Sequence, residues 1–256
     1  MKKAVVIIGI GEIGGVFARG FLKLGHPVFP VTRTTPASEV ADIVNDPELV
    51  LVAVGEKDLH PVLEDIPGIW RDRLVLIQNE LLPRDWEAHQ LASPTVISVW
   101  FEKKPGMDAK VVVSSPVYGP HSTTIIDALK AVGLPAHEVE SEAALLFELV
   151  RKNLYILTTN IAGLEAGGTV TSLWQEHHDL ARAVADDVLK IQHHLSGEPL
   201  DDEALIAAMV EAFEGDPEHG CMGRSAPARL ERALKIAGEA GLDVPTLTRI
   251  SQQVTE

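Results

Sequence analysis

The chain has 256 residues, with 22 Lys plus Arg against 37 Asp plus Glu for a formal charge of −15, and 46% of it is apolar. That apolar share excludes a disordered chain, and the acidity excludes a general nucleic-acid binder, which needs a basic surface for phosphate. The single cysteine, Cys221, excludes an internal disulfide and a thiolate cluster.

The length suits one large domain or two modest ones. The chain opens on the apolar run Ala4 to Ile10, far shorter than the roughly 20 residues of a membrane span. Gly9, Gly11, Glu12 and Gly14 break the run, and no small-residue cleavage site follows it. It reads as a buried strand of a cytoplasmic protein rather than a signal peptide or membrane anchor.

Short β-rich runs then alternate with helical patterns. Strands are expected at 3–9, 28–32, 49–54, 74–78, 95–99 and 110–114, several of them continuous Val/Ile/Leu runs of the kind found in a parallel sheet covered on both faces. Helices are expected at 13–24, 37–44, 57–64 and 122–131. This alternation predicts a Rossmann-type doubly wound parallel sheet. From about Glu140 only helical patterns remain: 141–162, 171–195, 201–213, 226–240 and 245–254. Ser141 is the expected N-cap of the first, Thr171 or Ser172 of the second, and Gly163, Gly167, Gly168, Gly197, Gly215 and Gly241 are the expected stops. The expected architecture is therefore α/β, with a Rossmann-like domain over 1–138 and an all-helical domain over 139–256.

The most informative motif is Gly9-Ile-Gly11-Glu12-Ile13-Gly14, which matches G-x-G-x-x-G between an apolar strand and an amphipathic helix. Gly9 allows the tight turn, Gly11 lets the backbone approach a pyrophosphate, and Gly14 lets helix and strand pack closely. The helix N-terminus that follows, with Glu12 and Ile13 in its first turn, favours phosphate. Arg33 lies 19 residues beyond Gly14, flanked by Thr32 and Thr34, and no acid occurs between Glu12 and Glu39. A carboxylate there would select a ribose 2′-hydroxyl; a guanidinium among hydroxyls suits a 2′-phosphate, so the expected cofactor is NADP(H). Val54 and Gly55 end the third expected strand and Asn79 the fourth, at the edge where open α/β sheets bind ligands. Asn79 offers both donor and acceptors to cofactor or substrate.

Together, the glycine motif, the Arg after the second strand, the Asn after the fourth and the helical second half resemble the 2-dehydropantoate 2-reductases (ketopantoate reductases). Val117-Tyr118-Gly119-Pro120 is similar to that family's Ile-Gly-Pro-type turn. The family carries Lys, Asn and Asn at four-residue spacing on the first helix of its second domain. Here Lys152 and Asn160 match the first and third positions, and Ile156 stands at the second. The three fall on successive turns of one helix. The resemblance implies NADPH-dependent reduction of a small 2-keto acid, 2-dehydropantoate to pantoate, with Lys152 as general acid and Asn160 and Asn79 on the substrate. The late helix departs from the family: around Cys221 to Arg232 its acidic residue and Asn have no counterpart, and Arg224 and Arg229 stand nearby. The same residues are compatible with a dehydrogenase of another hydroxy or keto acid, or with a non-catalytic NADP(H)-binding sensor.

Other features carry less. His177-His178 and His193-His194 do not converge on a metal, because helix neighbours point about 100° apart, and none is expected. Ser196 to Gly220 holds eight acids and no Lys or Arg, a solvated acidic face. The expected partners are a small keto acid and, through the apolar stripes of the helical half, a second copy in a homodimer; neither nucleic acid nor membrane is expected.

Overall fold

The computed structural model describes residues 2–255, with side chains as far as Gln253. It divides into two compact units, Met1–Glu148 and Leu149–Glu256.

In the first unit β1 (Val5–Ile8) leads into α1 (Glu12–Lys23), then β2 (Val28–Val31), α2 (Ala37–Ile43), β3 (Val50–Val52), α3 (Leu59–Glu64), β4 (Leu74–Leu76), α4 (Pro83–Glu87) and β5 (Thr95–Ile97). A two-stranded ribbon, β6 (Phe101–Glu102) with β7 (Lys110–Val111), precedes β8 (Ser115–Tyr118), α5 (Ser122–Ala131) and β9 (Ala136–Glu138). Among the described residues the main sheet has seven strands in the order β2-β1-β3-β4-β5-β8-β9. Strands β1 to β5 are parallel, with Val5 opposite Val28 and Val6 opposite Val50, while β8 runs antiparallel to β5 and carries β9 parallel to itself.

The central strands are apolar at every position because both sheet faces are covered: Val5, Val6 and Ile7, and Val50, Leu51 and Val52, are all 0% exposed. On one face α1 and α5 lay Phe17, Phe21, Ile125 and Leu129 against Val5, Ile7 and Leu51. Burying each phenylalanine contributes roughly 1.5–3 kcal/mol.

The sheet corrects three expectations. The predicted strand at 110–114 contributes only Lys110 and Val111, and to the ribbon rather than the main sheet. The sixth strand in chain order to join that sheet is Ser115–Tyr118, which includes Pro116 and half of the stretch read as a turn. The last strand, Ala136–Glu138, was missed because it is a polar edge strand paired only with β8.

The second unit is helical: α6 (Glu142–Ala166) begins just before it, and α7 (Val170–Glu176), α8 (His178–Ser196), α9 (Asp202–Gly215), α10 (Ala226–Ala240) and α11 (Pro245–Thr255) follow. Ser141 caps α6 as expected, its hydroxyl accepting from the Ala144 N–H at 3.1 Å. The helix then runs through Gly163, where Cys221 packs so closely that a Cβ would lie 2.8 Å from the Cys221 Cβ. The single helix expected over 171–195 is two, broken where His177 leaves helical geometry at φ −125°, ψ 37°. The cap of the first is Thr169, not Thr171 or Ser172; Ser172 is its capping-box partner. Buried Asp187 caps α11 from α8, accepting from the Thr246 and Leu247 N–H groups at 2.8 and 3.3 Å while Lys190 pairs with its other oxygen at 2.9 Å. Several acids of the 196–220 stretch are paired: Glu203 with Arg182, Asp202 with His193 and Glu211 with Arg151. Among the described residues no helix is long and apolar enough to cross a membrane.

Candidate functional site

The site of the first unit is built from the carboxyl ends of β1, β2, β3 and β4. Chain direction puts all four ends on one edge, and backbone bonds tie them: Gly9 N–H donates to the Val31 carbonyl at 3.1 Å and Ala53 N–H to that of Ile8 at 2.7 Å.

The glycine turn shows what each glycine is for. Gly9 sits at φ +92°, and a Cβ there would lie 2.7 Å from the Ala53 carbonyl oxygen. A Cβ on Gly14 would collide with the carbonyl oxygen of Gly9. Both are required by the packing of α1 on the strand ends. Gly11 is different: a Cβ there would meet nothing within 4 Å. It is the N-cap of α1 and carries no side chain to cap the helix. The first-turn N–H groups at Glu12, Ile13 and Gly14 therefore face outward without intrahelical acceptors, at the positive end of the helix dipole. This arrangement fits a dinucleotide's diphosphate.

After β2 the chain closes a tight turn in which Thr32 and Thr35 exchange backbone hydrogen bonds at 3.0 and 3.2 Å. The Thr32 hydroxyl accepts from the Thr34 N–H at 3.3 Å and lies 3.1 Å from the Thr34 hydroxyl. Arg33 and Thr34 are thereby held at the exposed tip. After β3, half-buried Val54 and exposed Gly55 lead into a short 3-10 turn. The buried side chain of Gln78 braces that segment: its amide donates to the Val52 carbonyl at 2.7 Å and to that of Val54 at 3.4 Å. Asn79 follows, exposed at the end of β4, before Glu80 turns the chain at φ 60°. The structure thus brings Gly9, Gly11, Glu12, Ile13, Gly14, Thr32, Arg33, Thr34, Val54, Gly55 and Asn79 to one edge of one sheet.

The second unit carries the other candidates on α6. Lys152 is half-buried, Ile156 is 7% exposed and Asn160 is 9% exposed. Arg229 of α10 donates from Nη1 to the Asn160 Oδ1 at 3.0 Å. Neighbouring Asn153 is buried in the helix packing and donates to Gln192 at 3.0 Å. Burial pushes the Cys221 thiol up to about 11, which keeps it protonated and removes it as a nucleophile. Among the described residues no cluster of three or more His, Cys, Asp or Glu could hold a metal ion.

Sequence reasoning missed Gln78 and Lys103. Nothing marks Gln78 beyond its place after an apolar strand. Lys103, whose ammonium meets Glu12 at 2.9 Å, lies outside every motif.

The two halves, a doubly wound sheet with a glycine turn and a run of helices, define a Rossmann-type fold with a helical second part. That fold is shared with solved structures across nearly the whole chain. The 2-dehydropantoate 2-reductase from Methylococcus capsulatus superposes with a TM-score of 0.72 at 14% identity, covering 98% of this chain and 96% of that one. A dimeric ketopantoate reductase from Staphylococcus aureus gives 0.66 at 19% identity, with 98% and 97% covered. D-mandelate dehydrogenase in complex with NADH and anilino(oxo)acetate gives 0.67 at 16% identity, with 100% and 97% covered. The chain therefore has the ketopantoate reductase fold. No protein-family model matches it. A curated 3-dehydroquinate dehydratase from Phenylobacterium zucineum (strain HLK1) is 26% identical over 141 residues, 54% of this chain and 90% of the dehydratase. That likeness leaves almost half of the chain unaccounted for.

Proposed function

We propose that this protein is an NADPH-dependent reductase of a small 2-keto acid, a divergent relative of the ketopantoate reductases. The observation that carries the reading is the contrast within the glycine turn: packing requires Gly9 and Gly14, whereas Gly11 has room for a side chain. Packing therefore does not require Gly11, and close approach of a diphosphate is the known use of a glycine at this place in the turn. Arg33, at the tip of its threonine turn, supports the choice of NADPH over NADH.

When bound, the nicotinamide supplies a hydride for the substrate's carbonyl carbon. The remaining work belongs to this chain. The first turn of α1 holds the diphosphate, and Arg33 with Thr32 and Thr34 holds the 2′-phosphate. Gln78 keeps the Val54–Gly55 segment and Asn79 in position. Asn79 and Asn160 orient the substrate, and the Lys152 ammonium stabilises the developing alkoxide and donates its proton to that oxygen. Such an enzyme would work in the cytoplasm, as a homodimer through its helical half.

The test is Lys152→Ala. In this reading it lowers turnover of NADPH with ketopantoate by roughly a hundredfold or more and leaves NADPH affinity unchanged. Equal loss of both would assign Lys152 a structural role. A second reading, oxidation or reduction of a different hydroxy or keto acid, is favoured by Ile156, which cannot make an amide's hydrogen bonds. A panel of 2-keto acids that includes the one corresponding to mandelate separates the two.

A further inference from the structure

We propose that Lys103 is a ligand of the cofactor's diphosphate and that Glu12 holds its place until the cofactor arrives. The inference rests on the dinucleotide reading above and adds to it a cation that the glycine motif does not contain.

Glu12 follows Gly11 directly and occupies the first turn of α1. A carboxylate there is favourable to the helix dipole of the empty protein. It is unfavourable to a dianionic diphosphate seated on the same N–H groups, since like charges at contact distance repel even near a surface. A protein that binds the diphosphate here must answer that charge.

Lys103 answers it. Its Nζ donates to the Glu12 Oε2 at 2.9 Å and to the Lys104 carbonyl at 2.8 Å, so the ammonium is fixed rather than free in solvent, and its side chain is 20% exposed. The topology explains how it gets there. β5 is parallel to β1 and ends at Ile97, whereas β8 returns antiparallel with Val117 opposite Ile97. The whole segment 98–114, ribbon included, therefore emerges at the edge that carries the glycine turn. Phe101 anchors the ribbon: it is 6% exposed and its ring centroid lies 6.3 Å from that of Phe17 on α1. Lys103 is two residues further along, and side chains two apart in an extended chain share a face. Burial of Phe101 against α1 thus directs Lys103 toward the first turn of the same helix.

A partly exposed ion pair of this kind contributes little to stability, between about 0 and 1 kcal/mol, so the fold alone gives weak reason for it. A lysine tethered beside the phosphate-binding turn and offset by a carboxylate can exchange that carboxylate for a phosphate oxygen at small cost. Glu12 then acts as a competitor that weakens binding, and Lys103 as the residue that strengthens it.

The experiment is a titration of the full-length protein with NADPH, followed by tryptophan fluorescence, for wild type, Lys103→Met and Glu12→Gln, together with each protein's melting temperature without cofactor. Lys103→Met should weaken NADPH binding roughly tenfold to a hundredfold, the usual effect of losing a hydrogen bond to a charged group, and flatten its salt dependence. Glu12→Gln should tighten binding. Both variants should melt within a few degrees of wild type. If wild type binds NADPH and both variants bind equally well, the proposal is overturned while the dinucleotide reading stands. If wild type binds neither NADPH nor NADH, the dinucleotide reading falls and the proposal with it. If Lys103→Met loses both binding and several degrees of melting temperature while Glu12→Gln binds like wild type, the pair is structural and the proposal is also overturned.

Discussion

Arg229 donates a hydrogen bond from Nη1 to the side-chain oxygen of Asn160 at 3.0 Å, joining α10 to α6. The bond occupies the side-chain oxygen of an amide expected to contact substrate, while its nitrogen donates to the Thr159 hydroxyl at 3.5 Å. It also places a guanidinium beside the residue that resemblance marks for substrate binding. Both groups are largely out of water, so their interaction should be measurable. In a double-mutant cycle of Asn160→Ala and Arg229→Ala, urea denaturation should give a coupling of about 1–2 kcal/mol. Additive losses would mean that the two residues act separately.

The glycine turn makes a paired prediction. Gly14→Ala drives a methyl into the Gly9 carbonyl and should destabilise the protein by about 1–3 kcal/mol, with loss of dinucleotide binding. Gly11→Ala meets nothing within 4 Å and should cost no more than about 1 kcal/mol, the ordinary penalty for alanine at a helix N-cap, yet bind NADPH at least roughly tenfold more weakly because its methyl stands where the diphosphate approaches. Melting curves and binding titrations of the two variants separate a packing glycine from a ligand-facing one.

Arg33 should set cofactor choice. The turn closed between Thr32 and Thr35 keeps it at an exposed tip, so Arg33→Ser should leave stability unchanged. NADPH affinity should fall roughly tenfold to a hundredfold, the effect of losing charge-assisted bonds to a phosphate, while NADH affinity stays the same. An equal effect on both cofactors would remove Arg33 from the 2′-phosphate.

Cys221 is fully buried against Gly163, and burial pushes its thiol up to about 11. The native protein should resist alkylation by iodoacetamide at pH 8 and react fully in urea. The linkage has a definite sign. An unfolded thiol ionises near its ordinary value of about 8.5, whereas the folded one keeps its proton to about 11. Between those limits the folded state binds more protons, so the contribution of Cys221 to stability falls as pH rises. Cys221→Ala should remove that part of the alkaline loss.

The parallel core was legible because its strands are buried on both faces and therefore read as unbroken apolar runs, Val5 to Ile8 and Val50 to Val52 among them. Helix ends were legible where a capping residue marks them, as Ser141 does. The polar edge strand Ala136–Glu138 gave no such signal, because pairing with β8 alone, rather than burial, makes it a strand. The break at His177 was hidden because no Gly or Pro marks it. In the site, the glycines and Arg33 are legible since their task is written in residue type and local spacing. Gln78, Lys103 and the Arg229–Asn160 bond are not, since each joins segments 24 or more residues apart, at contacts that only the folded chain creates.

Reduction of a 2-keto acid with NADPH is read most simply as the rate of NADPH oxidation by the purified protein with ketopantoate as the added carbonyl compound. Turnover should be saturable, much slower with NADH and nearly abolished in Lys152→Ala. Protein that binds NADPH but oxidises it with neither ketopantoate nor any other small 2-keto acid would contradict this, and would leave a cofactor-binding protein without the chemistry assigned here.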